Sequence, residues 1–259
     1  MGSQPGEQEL MLELFVSERR NSLPEEVDDV PTVINEIDTY DHHPECREGE
    51  EYDTLRSNIG ISVDRGDGTH GFGTIGLIGY NAHPDNPYEC IVTAYHVVED
   101  RTNNEMYQPE FGDIAGYQRQ DDEDMDTTKY KAARSADVGA TEESSQEDIT
   151  GTWDFAGLTD ATDGDGSVDA VIAGKETCSD SATCIGTARD DDIDYRADYK
   201  GEHGVDGDSG SPYVDQNGKL VSLHYGETSD GENRHSVGPV GSETIDRLDV
   251  TLTDPSNVE

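Results

Sequence analysis

Two short stretches of this chain carry the residue types that acyl-transfer chemistry needs. In Gly207-Asp208-Ser209-Gly210-Ser211-Pro212 a serine stands among small residues. That setting leaves its hydroxyl open, and the glycine two positions before it permits a close backbone approach. A Gly/Asp/Ser-rich turn between strands is the plain alternative. The second stretch, Thr93-Ala94-Tyr95-His96-Val97-Val98, decides between them. A serine hydroxyl is a weak nucleophile until a base takes its proton. Imidazole titrates near neutral pH and suits that task. The imidazole in turn needs a carboxylate that fixes its tautomer and stabilises the imidazolium. Ser209 is therefore read as a nucleophile and His96 as its base, with the orienting acid between them in the chain.

These two motifs match the Thr-Ala-x-His and Gly-Asp-Ser-Gly-(Gly/Ser)-Pro signatures of the chymotrypsin-like (trypsin-fold) serine peptidases, which the chain resembles over about residues 58–245. The order, histidine before serine, fits that family. In an α/β-hydrolase the nucleophile comes first, and Ser211 stands where the Gly-x-Ser-x-Gly elbow needs its second glycine. The resemblance implies an all-β fold of two six-stranded antiparallel Greek-key barrels. It implies a serine endopeptidase that acts on polypeptides through an acyl-enzyme, with no cofactor and no metal. The competing reading is a non-catalytic binding or scaffold protein on the same fold.

By the same resemblance the orienting acid is Asp137, in Ala136-Asp137-Val138-Gly139, with Asp169 in Val168-Asp169-Ala170-Val171 as the alternative. Backbone N–H groups of Gly207 and Ser209 would form the oxyanion hole. Asp208 would be structural. The chain shows no Ile-Val-Gly-Gly start whose amine could pair with it, so Arg189 or Arg196 is expected as its counter-ion. His224 and Gly226, in Val221-Ser222-Leu223-His224-Tyr225-Gly226, fall on the strand that lines the pocket for the residue before the scissile bond (P1). A similar run occurs in glutamyl endopeptidases, which points to Glu or Gln at P1. His203 stands six residues before Ser209, where trypsin-type enzymes carry an aspartate, so a basic P1 is not expected.

The elements that must position these residues lie in a very acidic chain. Its 259 residues contain 59 Asp and Glu against 17 Lys and Arg, a formal net charge of −42. Such a composition suits either disorder or a fold adapted to very high salt, where the Debye length is ~3 Å at 1 M. Strand-like apolar runs and the paired motifs favour the second, and an extreme halophile as source. A surface of this sign repels nucleic acid and anionic membrane, so neither is an expected partner. No run of 18 apolar residues is present. The first eight residues have neither a basic nor an apolar region, so the expectation is a cytoplasmic protein unless an export segment preceded Met1.

Four segments are expected. Residues 1–57 form an extension, with strands at 10–16 and 30–34, followed by an acidic loop. Residues 58–145 form the first barrel, with strands at 59–63, 71–79, 90–94 and 129–134 and an acidic, loop-rich stretch at 99–128. Residues 146–250 form the second barrel, entered by a polar linker at 141–151, and residues 251–259 are a tail. Asp41-His42-His43-Pro44-Glu45-Cys46 lacks the second ligand pair of a zinc site. Residues 160–169 resemble a calcium loop without its bidentate acid and read as a hairpin turn. Cys178 and Cys184 flank a short polar stretch and are expected to pair.

Overall fold

Strands in this chain are short and rich in β-branched residues, and Gly, Pro, Asn or acidic turns stop them. The structure, a computed structural model, describes residues 12–16, 26–27, 30–36, 51–66, 69–108, 113–142, 145–189, 193–229 and 234–257. The chain divides into residues 1–45 and residues 46–259. In the first unit β1 (Leu12–Val16) runs parallel to β3 (Val30–Glu36), and β2 (Glu26–Val27) pairs antiparallel with β3. Both strands expected there are present. His42, His43 and Cys46 lie outside the described residues.

In the second unit β4 (Leu55–Ser57) and β12 (Ala136–Thr141) make a small parallel pair. Around it is an eight-stranded antiparallel sheet. Its members are β5 (Gly60–Asp64), β6 (His70–Thr74), β7 (Leu77–Asn81), β8 (Glu89–Ala94), β9 (Glu105–Gln108), β10 (Asp113–Asp122), β11 (Thr127–Ala132) and β21 (Val250–Thr251). The order is β21-β7-β8-β11-β10-β9-β5-β6. The last strand, β6, runs into β7 through Ile75 and Gly76, which brings the two ends of the order together.

The second eight-stranded sheet holds β13 (Gly151–Thr152), β14 (Val168–Ile172), β15 (Asp180–Ala188), β16 (Arg196–Tyr199), β17 (Pro212–Asp215), β18 (Lys219–Leu223), β19 (Gly226–Ser229) and β20 (Arg234–Pro239). Its order is β13-β18-β17-β14-β15-β16-β20-β19, and a bridge from Ser222 to Val240 links β18 to the end of β20. Each sheet thus has eight strands where six were expected. The shortest strands are β21 in the first and β13 in the second, two residues each. Two helices, α1 (Phe155–Thr162) and α2 (Gly241–Arg247), complete the unit. Among the described residues no helix is long and apolar enough to cross a membrane.

The alternation of side chains along a strand divides the interior. On β8, Ile91 joins Ile61, Ile78, Met106 and Tyr130 inside the first sheet. Its neighbours Cys90 and Val92 join Leu77, Val214, Leu220, Leu223 and Leu248, a cluster drawn from both sheets and α2. The second sheet encloses Leu158, Ile172, Ala182, Tyr199, Tyr213 and Val221.

Several local expectations change. The stretch at 99–128 contains β9 and β10, each of which buries only a short apolar stretch, such as Met106 and Ala115, among polar residues. Thr251 of the expected tail pairs with Tyr80. Asp160 lies in α1, whose N-cap Asp154 accepts from the Gly157 N–H at 2.7 Å, so residues 160–169 are a helix end, a turn and the start of β14 rather than a hairpin. Cys178 is disulfide-bonded, but not to Cys184, which is a free thiol buried in the second core. The β14–β15 register sets Cys184 opposite Val168, facing inward, and burial pushes its thiol up to about 12.

The polar linker carries a buried staple. Gln146 Oε1 accepts from Asn58 Nδ2 at 2.8 Å, and its Nε2 donates to the carbonyls of Val171 and Pro212 at 2.6 and 2.9 Å. Asn58 Nδ2 also reaches the Ala173 carbonyl at 2.8 Å. Replacing Gln146 by Ala leaves Asn58 Nδ2 with its Ala173 bond alone and takes a side-chain donor from the carbonyls of Val171 and Pro212. A buried unsatisfied group costs about 1–3 kcal/mol, so Gln146→Ala is expected to lower the unfolding free energy by at least about that amount in a denaturant titration at fixed salt.

Candidate active site

The β8–β11 register sets Thr127 opposite Ala94, so the next residues along each strand, Asp126 and Tyr95, also face each other. A single 3-10 turn, Glu123–Met125, precedes Asp126 and ends on it with φ 47° and ψ 45°, the left-handed region. Aspartate tolerates that conformation better than most residues. It turns the carboxylate back on the histidine loop. The Asp126 carbonyl accepts from the Tyr95 N–H at 2.9 Å and Oδ1 from the His96 N–H at 2.8 Å, while Oδ2 lies 2.7 Å from His96 Nδ1. The Asp126 side chain is 7% exposed and the His96 ring 36%. Nδ1 therefore carries a proton toward the carboxylate, which leaves the Nε2 lone pair facing Ser209 Oγ at 2.8 Å. The edge of the His96 ring meets Tyr225, with centroids 5.4 Å apart.

Asp137 is not part of this array. Its Oδ2 accepts from Arg56 Nε and Nη2 at 3.0 and 2.9 Å, on the surface. It sits on β12, which pairs with β4 rather than with the histidine strand. Asp169 accepts from Thr183 Oγ1 at 3.2 Å on the second sheet, also away from His96. The carboxylate on the imidazole is Asp126, which sequence reasoning passed over. One signal was available: Asp126 directly precedes a strand, as the family's acid does. The two residues after it are Thr127 and Thr128, both buried, instead of the apolar pair that the resemblance led one to seek.

Ser209 is delivered by a loop hung from both sheets. Its carbonyl accepts from Thr74 N at 2.9 Å, and the Gly210 N–H donates to the His224 carbonyl at 2.8 Å. Gly210 has φ +92°, and a Cβ there would fall 2.3 Å from Thr93 Oγ1 and 2.5 Å from the Thr74 carbonyl. Only glycine fits. The Gly207 carbonyl accepts from Thr74 Oγ1 at 3.0 Å. Among the described residues the N–H groups of Gly207 and Ser209 donate to no protein acceptor, which leaves both available to an oxyanion.

Asp208 is fully buried, and its partners differ from those expected. Oδ1 accepts from the N–H groups of Glu176 and Thr177 at 2.8 and 3.2 Å. Oδ2 accepts from Val205 N at 2.9 Å and from the Thr177 hydroxyl. Among the described residues no cation meets it. Arg189 lies over the rings of Tyr195 and Phe155, and Arg196 binds Asp198 at 2.8 Å. Three backbone donors and a hydroxyl do what the sequence reading assigned to an arginine.

His224 is buried, and burial pulls its imidazole down to about 4. It is neutral at working pH. Nδ1 lies 3.0 Å from Tyr213 Oη, itself buried and held protonated by desolvation. Nε2 faces Gly204, where a Cβ would stand 3.0 Å away, and has no protein partner among the described residues. Gly226 faces open space. His203 is elsewhere: its Nδ1 meets Asp180 at 2.9 Å and its Nε2 the Lys200 carbonyl at 2.9 Å. Its imidazole nitrogens are thus spent on the second sheet, and its N–H donates to Ser236 Oγ at 2.6 Å.

No protein-family model matches the chain, and no curated protein matches it. Solved structures do share its fold. A glutamic acid-specific serine protease that uses a histidine triad in substrate binding aligns with a TM-score of 0.51 at 15% identity, over 77% of this chain and 100% of that one. The protease NAPase of Nocardiopsis aligns at 0.53 and 12%, over 76% and 97%. Chymotrypsin of Cellulomonas bogoriensis aligns at 0.53 and 10%, over 78% and 100%. The fold is that of the trypsin-like double-barrel proteases.

The geometry separates two aspartates by experiment. Asp126→Asn presents an amide to Nδ1 and favours the wrong tautomer, an effect worth about 10⁴-fold in kcat where an orienting aspartate is so replaced. The rate of Ser209 labelling by a fluorophosphonate is expected to fall by orders of magnitude. Asp137→Asn, which breaks only a half-exposed ion pair, is expected to leave that rate within about twofold.

Proposed function

We propose that this chain is a serine endopeptidase built for high salt. One observation carries the reading: the His96 ring lies between Asp126 Oδ2 at 2.7 Å and Ser209 Oγ at 2.8 Å. In the proposed reaction Ser209 Oγ attacks the scissile carbonyl while His96 Nε2 takes its proton. Asp126 holds Nδ1–H and stabilises the imidazolium. The oxyanion is met by the N–H groups of Gly207 and Ser209, each such donor lowering the barrier by about 3 kcal/mol. The imidazolium then protonates the leaving amine, and water repeats the sequence to release the acyl half. Ser209→Ala is expected to abolish cleavage of a denatured protein substrate and leave the folding transition in place. A folded wild-type protein that neither cleaves peptides nor reacts with a fluorophosphonate would leave the scaffold reading.

His224 supports Glu or Gln at P1. Its Nε2 is a single ring nitrogen beside Gly204, with no protein partner among the described residues. A glutamine amide pairs with the neutral ring directly. A glutamate draws a proton onto it, because a bound carboxylate reverses the desolvation that keeps the empty site neutral. The sign follows: binding of P1 Glu takes up a proton, so its kcat/KM relative to P1 Gln is expected to fall as pH rises from about 5 to 9. A flat ratio, or a His224→Ala variant with the same P1 profile, would remove His224 from the pocket. A structural neighbour uses a histidine triad in substrate binding, and here Tyr213 Oη lies 3.0 Å from His224 Nδ1, on the side away from Gly204.

The excess of 42 negative charges supports the salt adaptation. Self-repulsion on that scale is relieved when the screening length falls to ~3 Å in 1 M salt. Circular dichroism and turnover are both expected to be lost on dialysis into salt-free buffer at neutral pH and regained in molar KCl. Full activity without salt would refute the adaptation while leaving the peptidase reading intact.

A further inference from the structure

A cleft of about 490 Å³ opens beside Ser209 and His96, lined also by Arg65, Gly71, Phe72 and Val97. None of His203, His224, Tyr225 or Gly226 borders it. If the acyl half of the substrate lies toward His224, this cleft is left for the half that departs. Arg65 is the arginine that borders it, and like Arg134, which donates to backbone carbonyls, it is not held by an acid. Arg56, Arg101, Arg196, Arg234 and Arg247 each meet a carboxylate. Arg65 meets none among the described residues, in a chain with 59 acidic side chains. Its Nη2 rests on the carbonyls of His96 and Val97 at 3.3 and 3.4 Å, and its Nε is buried with no acceptor. Gly71 makes the room, since a Cβ there would fall 3.1 Å from Arg65 Nε and 2.1 Å from the Val97 carbonyl.

We infer that Arg65 is a specificity-determining residue that binds a carboxylate on the leaving half of the substrate, a deepening that rests on the peptidase reading above. The other charges in the cleft set where along the peptide this falls. Lys175 lies over the Phe72 ring and 3.4 Å from Glu176. Glu176 and the exposed Asp206 stand at the Gly207 end, next to the nucleophile. They repel an acid at the first position after the scissile bond. Arg65, at the Gly71–Val97 end, attracts one at the second or third. An arginine held by two backbone carbonyls is already ordered, so little rotamer entropy remains to be lost when a carboxylate docks. The carboxylate can come from a Glu or Asp side chain or from the C-terminus of a short peptide.

Quenched fluorescent peptides with one cleavage sequence test this, in molar KCl at fixed pH. Glu is compared with Gln at the second and third positions after the scissile bond, each with an amidated C-terminus, and free-acid with amidated peptides that end at those positions. Wild type is expected to favour the carboxylate by about fivefold or more in kcat/KM at one of these positions, since charge-assisted bonds to Arg are the stronger kind. Preference among the amidated peptides identifies a side chain; preference confined to the free acids identifies a terminus. Arg65→Lys should keep part of the ratio, and Arg65→Gln should bring it to near one. A merely structural Arg65 would slow acid and amide peptides alike and leave the ratio unchanged. That result overturns the inference, as does a wild-type ratio near one. Fluorophosphonate labelling of Ser209 in each variant separates the failures. Labelling without carboxylate preference sinks only the role of Arg65, whereas neither labelling nor cleavage in wild type sinks the peptidase reading and this inference with it.

Discussion

Asp126 sits in a backbone conformation that side chains disfavour, and the two residues it faces keep it there. A left-handed residue costs about 1–2 kcal/mol. Against that stand a carbonyl bond to Tyr95 N, a carboxylate bond to His96 N and the contact with His96 Nδ1. The arrangement is therefore mutual. Asp126 fixes where the histidine loop leaves β8, and that loop fixes which way the carboxylate turns. Both depend on the register of β8 against β11. A slip of one residue would exchange the faces of β11 and carry Asp126 away from the imidazole.

The proposed nucleophile depends on a different joint. Ser209 reaches its position between β16 and β17 of the second sheet, yet its carbonyl is tied to Thr74 of the first. The neighbouring Gly210 is closed in by Thr93 and Thr74 at distances that admit no side chain. Gly76 adds to the seam, because a Cβ there would lie 2.3 Å from the Gly210 carbonyl. Glycine on both sides of the seam lets the two backbones approach until the hydroxyl lies within 2.8 Å of the imidazole. The approach of these two side chains is set by main-chain contact between the sheets.

That division explains what could be read from the residues alone. Ser209 and His96 were legible because their neighbours are constrained by backbone: the glycines at 207 and 210, and Thr93 within the seam. The β strands with apolar faces were legible for the ordinary reason of period two. Asp126 was not, since it lies in Asp121-Asp122-Glu123-Asp124-Met125-Asp126, where any of five acids looks alike in a chain so rich in them. What distinguishes it is a left-handed turn and a strand register, neither of which composition records. β10 escaped for a related reason: its ten residues include Gln118, Arg119, Gln120 and three aspartates, a polar strand that pairs well but has little apolar signature. The cysteines misled because proximity in sequence says nothing of which face a strand presents, and Cys184 points into the core.

Screening gives a common reason for the way charges are handled near the site. At a Debye length of ~3 Å an ion pair on the surface loses most of its attraction, while a short hydrogen bond inside the protein keeps its own. Asp208, wholly buried, is held by three N–H groups and a hydroxyl instead of a cation. Lys129, also buried, donates to the carbonyl of Leu248 and to Asn81 Oδ1 instead of to an acid, and desolvation lowers its ammonium pKa. Asp126 takes its first bond from a backbone N–H. Each of these groups is satisfied by neutral partners whose geometry does not change with ionic strength. A site so assembled keeps its shape in the brine proposed for it, and Arg65, which meets no carboxylate among the described residues, stays available to an anion that the substrate brings.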